Sequence, residues 1–343
     1  MNVHTDEPTE PAKGRAPSIR DVARLAEVSH QTVSRVLNDH TSIRDTTRQR
    51  VLEAMEQLQY RPNLAARRLV TSRSRTIGVL RASSQQYGPA SSIAAIEEAA
   101  REAGYFVNTA NLDLDDPESM RSALNHLMSQ AVEGLVVIAP QVRIATTLAE
   151  MSISIPFVTM QSAGAGHALS VDQVAGARMA TRHLVGLGHR DILHLAGPTD
   201  WVEAQARVLG FEQELAASGL PVAAPVVGDW TAAAGYEAGR RMLAAGGFTA
   251  VFSSNDQMAL GVLHAVRDAG LDVPREVSVV GFDDIPEAAH FWPPLTTVRQ
   301  DFAELGRRCI ARLLGEIEGT PPDDPGDVVP ELVVRASTAP PRL

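Results

Sequence analysis

Cysteine is almost missing from this 343-residue chain, where Cys309 stands alone. One thiol excludes both an intrachain disulfide framework and a thiolate metal cluster. Long apolar runs are missing too. No stretch approaches eighteen consecutive apolar residues, so none reads as a membrane-crossing helix. The opening "MNVHTDEPTEPAKGRAPS" lacks the apolar centre of an export signal, and residues 1–16 are expected to form a disordered tail. A cytoplasmic location is the expectation. What is present is 44% apolar and 21% charged residues, enough for two or three compact units.

Charge is unevenly spread. Residues 1–75 hold 13 basic and 9 acidic side chains, whereas residues 76–343 hold 18 and 32. A basic head on an acidic body implies that only the head meets a polyanion.

Helical patterns fill the head. In "SIRDVARLA", Ser18 is placed to cap a helix with Asp21 three residues on, and Ile19, Val22, Ala23 and Ala26 form its apolar stripe. A turn at residues 27–29 leads to a second helix over His30–Leu37, capped by Ser29. A third is expected from Asp45 to Gln59, with Val51, Ala54, Met55 and Leu58 inward and Pro62 as its stop. Three short helices with a tight turn between the first two describe a helix-turn-helix unit over 17–61. "NLAARRL" then forms a short helix capped by Asn63, and with a polar, basic linker it makes up 62–75.

From Thr76 onward the texture alternates. "TIGVL", "GLVVIAP", "IPFVTM", "DILHLAG", "TAVFSSND" and "VSVVGFDD" read as short buried strands, with helical patterns between them. That alternation predicts an α/β body over 76–343 of two doubly wound, parallel-sheet subdomains. The first is expected to take about 76–170 and 301–328, the second about 171–300 and 329–340. A ligand crevice is expected at the strand C-termini between them.

Three residue sets have bland readings. Asp283 and Asp284 share one strand-to-helix loop, so their carboxylates diverge and act as caps rather than as an acid/base pair. His183, His189 and His194 fit no common metal spacing and read as structural. Cys309 lies in a helical pattern and reads as core. No enzyme activity, no metal and no cofactor are expected.

"DVARLAEVSHQTVSRVLN", "RPNLAARRL", "HLVGLGHRDILHLAGP", "SSNDQMALGVLHAV" and "VSVVGFDDIPEAAHFWPPLTTVRQDF" together resemble the LacI/GalR family of bacterial transcription regulators, over nearly the whole chain. The resemblance implies a helix-turn-helix domain with a hinge helix, then a periplasmic-binding-protein-like body. It implies that His30, Gln31 and Arg35 read base edges, with Ser29, Thr32, Ser34 and Asn38 on bases or phosphates nearby and Ser18 on the backbone. In the hinge helix it implies a minor-groove role for Asn63, for the small Ala66 and for Leu69 as a wedge between base pairs.

In the body the resemblance implies a sugar pocket. Arg207, Asn255 and Asp283 would serve hydroxyls, Trp230 would stack on the ring, and Phe302 and Tyr87 would line the site. Gln161 stands where a similar family member carries an aspartate. The implied partners are pseudo-palindromic double-stranded operator DNA, a small carbohydrate effector and a second copy of the chain. Members that tetramerise end in a leucine-heptad helix without a counterpart in "LVVRASTAPPRL", so a homodimer is expected. The implied function is a repressor of carbohydrate-utilisation genes, released by a sugar or glycoside, with galactosides among the candidates. The alternative is a sugar-binding protein without DNA function, which shares the body but needs no basic head.

Overall fold

The computed structural model describes residues 17–37, 42–60, 73–82, 86–113, 116, 118–138, 140–150, 153–160, 168–320, 322 and 326–342. The expected disordered tail, Asn38, Gln161 and the hinge residues Asn63, Ala66 and Leu69 lie outside them. Contacts divide the chain between Arg73 and Ser74, and the two units are taken in turn.

The head comprises α1 (Ile19–Leu25), α2 (His30–Leu37) and α3 (Asp45–Gln57). Val22, Ala23, Ala26, Val33, Val36, Val51 and Ala54 close a small core between them. The Asp21 carboxylate accepts from the Ser18 amide at 2.9 Å and from its hydroxyl at 2.6 Å, tying down the start of α1. Ser29 Oγ accepts from the Thr32 amide at 3.1 Å and so caps α2. Between them, Glu27 turns the chain with φ +50°, while the Val28 amide reaches back to the Ala23 carbonyl at 2.9 Å. Arg50 of α3 donates to the carbonyls of Ala26 and Glu27, so the third helix locks the turn between the first two.

One boundary differs from expectation. The third helix ends at Gln57, two residues before the expected Gln59. Gln59 takes φ +50°, and the Tyr60 amide donates to the Met55 carbonyl at 2.8 Å. A left-handed residue closes the helix, as glycine commonly does.

The first subdomain of the body runs β1 (Thr76–Ala82), α4 (Tyr87–Glu102), β2 (Phe106–Leu112), α5 (Ser119–Ser129), β3 (Gly134–Ile138), α6 (Val142–Glu150), β4 (Phe157–Met160) and β5 (Ala168–Leu169). The second runs α7 (Gln173–Gly186), β6 (Ile192–Ala196), α8 (Val202–Ala217), β7 (Val226–Val227), α9 (Ala232–Ala245), β8 (Ala250–Ser253), α10 (Asp256–Asp268), β9 (Ser278–Asp283) and β10 (Thr296–Arg299). The chain then returns to the first subdomain with α11 (Phe302–Glu318) and ends on the second with β11 (Glu331–Val333).

The first sheet is ordered β2-β1-β3-β4-β5 and is parallel throughout. In the second, β7-β6-β8-β9-β10 repeats the same order, and β11 adds an antiparallel edge strand. Each sheet is covered on both faces. Along β1, Ile77 and Val79 face the core shared with α4 and α11, while Leu80 and Ala82 face the core under α5 and α6. In the second subdomain, α9 and α10 close one face and α7 and α8 the other. Burial on both faces is why these strands read as continuous apolar runs. Cys309 sits in the first core, where burial pushes its thiol up.

Close approach of α11 to α4 depends on Gly306. A Cβ there would lie 2.7 Å from the Ala95 backbone carbon. Gly306→Val should therefore force the two helices apart, costing about 1–3 kcal/mol. Thermal unfolding of the variant should show a melting point several degrees lower; an unchanged one would mean that the helices can separate freely.

Candidate DNA-reading helix and effector cleft

In α2, Val33 and Val36 are buried while His30, Gln31 and Arg35 are exposed. The helix thus presents an outer face of one imidazole, one amide and one guanidinium, held from behind by two valines. Thr32 is half-buried beside Ser29, with their hydroxyls 2.9 Å apart. Ser34 is also half-buried, and Ser18 stays bonded to Asp21.

In the body, one cleft gathers Tyr87 from the start of α4 with Trp201, Glu203, Arg207, Trp230, Asn255 and Asp283 from the second subdomain. Arg207 is its centre. Its Nε donates to Gln173 Oε1 at 2.9 Å, one Nη donates to the Ser254 carbonyl, and the other lies 3.7 Å from Asp283 Oδ1. The guanidinium stacks 3.9 Å above the Phe282 ring. Gln173 in turn donates to Gln300 at 2.8 Å, and Gln300 donates to Asp283 at 2.7 Å. These four side chains close a buried ring.

Asp283 stands where β9 ends, with φ +110°, and Asp284 follows with φ +52°. Two successive left-handed, non-glycine residues are a strained turn of the kind held at binding sites. The first carboxylate is turned into the cleft. The second is bound outside it by Arg299 at 2.7 Å and Arg335 at 2.6 Å. The adjacent pair therefore diverges. Burial pushes Asp283 up to about 6, opposed by Arg207 and by the Gln300 hydrogen bond.

Trp230 also has a left-handed backbone, φ +74°, and its ring packs against Gly197, where a Cβ would come within 2.1 Å of a ring carbon. Trp201 meets it edge-on at 5.4 Å. Its indole Nε1 is buried without a partner among the described residues.

Asn255 lines the cleft, but its groups are already engaged. Its Oδ1 accepts from the Met258 amide at 2.8 Å and caps α10. Its Nδ2 donates to the Trp230 carbonyl and to Gln257 Oε1, both at 3.0 Å. Here it holds Trp230 in place. Phe302, expected to line the site, lies instead in the first core, with its ring 6.0 Å from that of Tyr87 in an edge contact. It backs the tyrosine rather than facing the cleft.

The histidines bond within the second subdomain. His194 pairs with Ser254 at 2.8 Å, stacks on Phe252 and is pushed down to about 3 by burial. His189 meets Thr249 at 2.8 Å and Ser278 at 3.1 Å, and His183 meets Thr338 at 2.9 Å.

Glu203 was not singled out from the sequence. It lies in the first turn of α8, four residues before Arg207, and that i, i+4 spacing onto one helix face was the available signal. It is 6% exposed. Burial pushes it up to about 7, with Arg207 pulling down and Asp283 adding to the rise.

The comparisons divide along the same line as the structure. The pattern of bacterial regulatory proteins of the lacI family matches residues 18–63, and that of a periplasmic binding protein-like domain matches 181–338. The lactose operon repressor of Escherichia coli (strain K12) is 36% identical over 306 residues, 88% of this chain and 85% of that protein. The HTH-type transcriptional repressor PurR of Haemophilus influenzae (strain PittEE) is 33% identical over 330 residues, 93% of this chain and 98% of that one. The crystal structure of the Lac repressor dimer bound to operator and the anti-inducer ONPF superposes with a TM-score of 0.82 at 33% identity, over 95% of this chain and 100% of that chain.

A DNA-reading helical head followed by an effector-binding α/β body defines a ligand-regulated transcription factor. The chain belongs to the lacI family of bacterial regulatory proteins. These relatives are repressors rather than enzymes.

Glu203 has a measurable signature. Its folded value of about 7 lies above its ordinary 4.5, so folding favours the acid form. That contribution is complete below the unfolded value and is lost as pH rises through about 7. Removing the charge with Glu203→Gln should therefore stabilise the protein at pH 8, by at most about 3 kcal/mol, and hardly at all at pH 5. Melting curves across that range check it; an equal shift at both ends would contradict the buried-carboxylate account.

Proposed function

We propose that the chain represses carbohydrate-utilisation genes. It binds a pseudo-palindromic operator as a homodimer, with the chromosome in the cytoplasm, and a sugar or glycoside in the cleft releases it. The observation that carries this reading is α2, whose exposed polar face stands on a buried valine ridge. A recognition helix needs that division: apolar anchoring behind, short polar groups and guanidinium in front. Gln31 suits adenine and Arg35 suits guanine, both as bidentate pairs. His30 reads beside them. Thr32, Ser34 and Asn38 meet phosphates or bases, and Ser18 and Ser29 hold the two helix starts against the backbone. Asn63, Ala66 and Leu69 serve the hinge helix in the minor groove.

The effector reading is supported by Tyr87, Arg207, Trp230 and Asp283 in one cleft, two aromatic faces beside a charged pair. Similarity to the repressor of the lactose operon makes galactosides the first candidates. Gln161, an amide in place of a carboxylate, argues for a glycoside other than the lactose type. Phe302 acts through Tyr87, and Asn255 through Trp230. The cleft binds rather than catalyses, and no cofactor or metal enters the reading. Effector and operator oppose each other through the body, with a coupling of about 1–3 kcal/mol.

An operator selected from randomised duplexes should lose about 1–3 kcal/mol of binding with Gln31→Ala or Arg35→Ala, while nonspecific DNA is held as before. Fluorescence anisotropy reads both, and an equal loss on both DNAs would remove the base-reading role. Arg207→Ala should keep the operator and lose its release by sugar. A gel-shift titration in which this variant still responds would reject the cleft as the effector site.

A further inference from the structure

The charges in the cleft are unevenly satisfied. Arg207 is bound on all sides by Gln173, the Ser254 carbonyl and Asp283. Asp283 is held by Gln300 and Arg207. Asp256, packed beneath, is bound by Thr297 and the Ile285 amide. Glu203 lines the same cleft, 6% exposed, and its carboxylate has no hydrogen-bond or ion-pair partner among the described residues. Tyr87, Trp201 and Trp230 line the same cleft with aromatic side chains. Since the guanidinium and Asp283 neutralise each other, the open carboxylate sets the charge that a ligand meets. A desolvated carboxylate in an aromatic-lined cleft attracts an ammonium or a hydroxyl donor and repels an anion.

We infer that Glu203 is the charge-selecting residue of the effector cleft: it takes a donor group of the ligand, so amino sugars and neutral sugars enter and uronates and sugar phosphates do not. This rests on the carbohydrate reading above and narrows it. The lone carboxylate costs the empty protein solvation, and a bound ammonium or hydroxyl removes that cost. Burial raises Glu203 toward neutrality in the empty protein, so an ammonium brought against it draws out the charged form, whereas an anion does not.

The test uses two matched series on the full chain, read by quenching of Trp201 and Trp230 fluorescence and by calorimetry. One series is galactosamine, galactose and galacturonate. The other is cyclohexylamine, cyclohexanol and cyclohexanecarboxylate, which carries the same charges without sugar hydroxyls. Wild type should bind the amine and the neutral member of the sugar series about tenfold or more tighter than the anion. Glu203→Gln should flatten the order, and Glu203→Asp, which keeps the charge, should preserve it. If the sugars bind without a charge order, or if the order survives in Glu203→Gln, the inference falls and the carbohydrate reading stands. If only the cyclohexyl series binds, in a Glu203-dependent order, charge selection stands and the carbohydrate reading falls. Silence in both series overturns both.

Discussion

The closed ring of Arg207, Gln173, Gln300 and Asp283 is the interaction on which the body is organised. Two of its members, Arg207 and Asp283, line the cleft. The other two sit where the chain passes between subdomains: Gln173 opens α7 just after the first passage, and Gln300 lies on the second, between β10 and α11. A buried polar network is costly when partly satisfied and rigid when complete. Through Gln173 and Gln300 the ring ties the cleft residues Arg207 and Asp283 to the connecting segments. The first passage is also bonded to the third, which runs from α11 to β11: the Asp172 amide donates to the Val328 carbonyl at 2.9 Å, and the Val328 amide donates back to the Ser170 carbonyl at 2.9 Å.

Around that ring the same topology is used twice. Each subdomain orders its five parallel strands in the same way, and the cleft residues Tyr87, Trp201, Trp230 and Asn255 follow β1, β6, β7 and β8, while Asp283 ends β9. The residues there take conformations that only a demanding site would hold. Trp230, Asp283 and Asp284 are all left-handed, and none is glycine. The strain is compensated by capping, by ion pairs and by the indole lying against Gly197. The head follows a similar economy on a smaller scale. Glu27 and Gln59 take left-handed conformations at the ends of α1 and α3, and Arg50 secures the first of these turns.

Much of this was legible in the sequence, for identifiable reasons. The helices of the head announced themselves by period and by Ser18 and Ser29, because short helices must satisfy their own amide groups locally. The strands were visible because sheets buried on both faces need unbroken apolar runs. What sequence could not supply was the outcome of competition among side chains for the same atoms. Asn255 was expected to serve a ligand, yet it caps α10 and carries Trp230. Phe302 was expected at the cleft, yet its neighbours in the core claim it. Glu203 looked like an ordinary acidic residue at a helix start, and only its burial beside Arg207 distinguishes it. The end of α3 was misjudged because a left-handed glutamine leaves no compositional mark as glycine would.

A second link joins the subdomains. The Val142 amide donates to the Asp200 carbonyl at 3.0 Å, and the Val202 amide donates to the Pro140 carbonyl at 2.9 Å. This clasp is made by main chain alone, immediately before α8 brings Glu203 and Arg207 into place. Backbone hydrogen bonds are indifferent to side-chain identity unless proline enters. Cavity walls outside the buried ring can therefore change by substitution without touching the latch that relates the two halves. Novel specificities in such a scaffold need not reinvent the machinery that reports them.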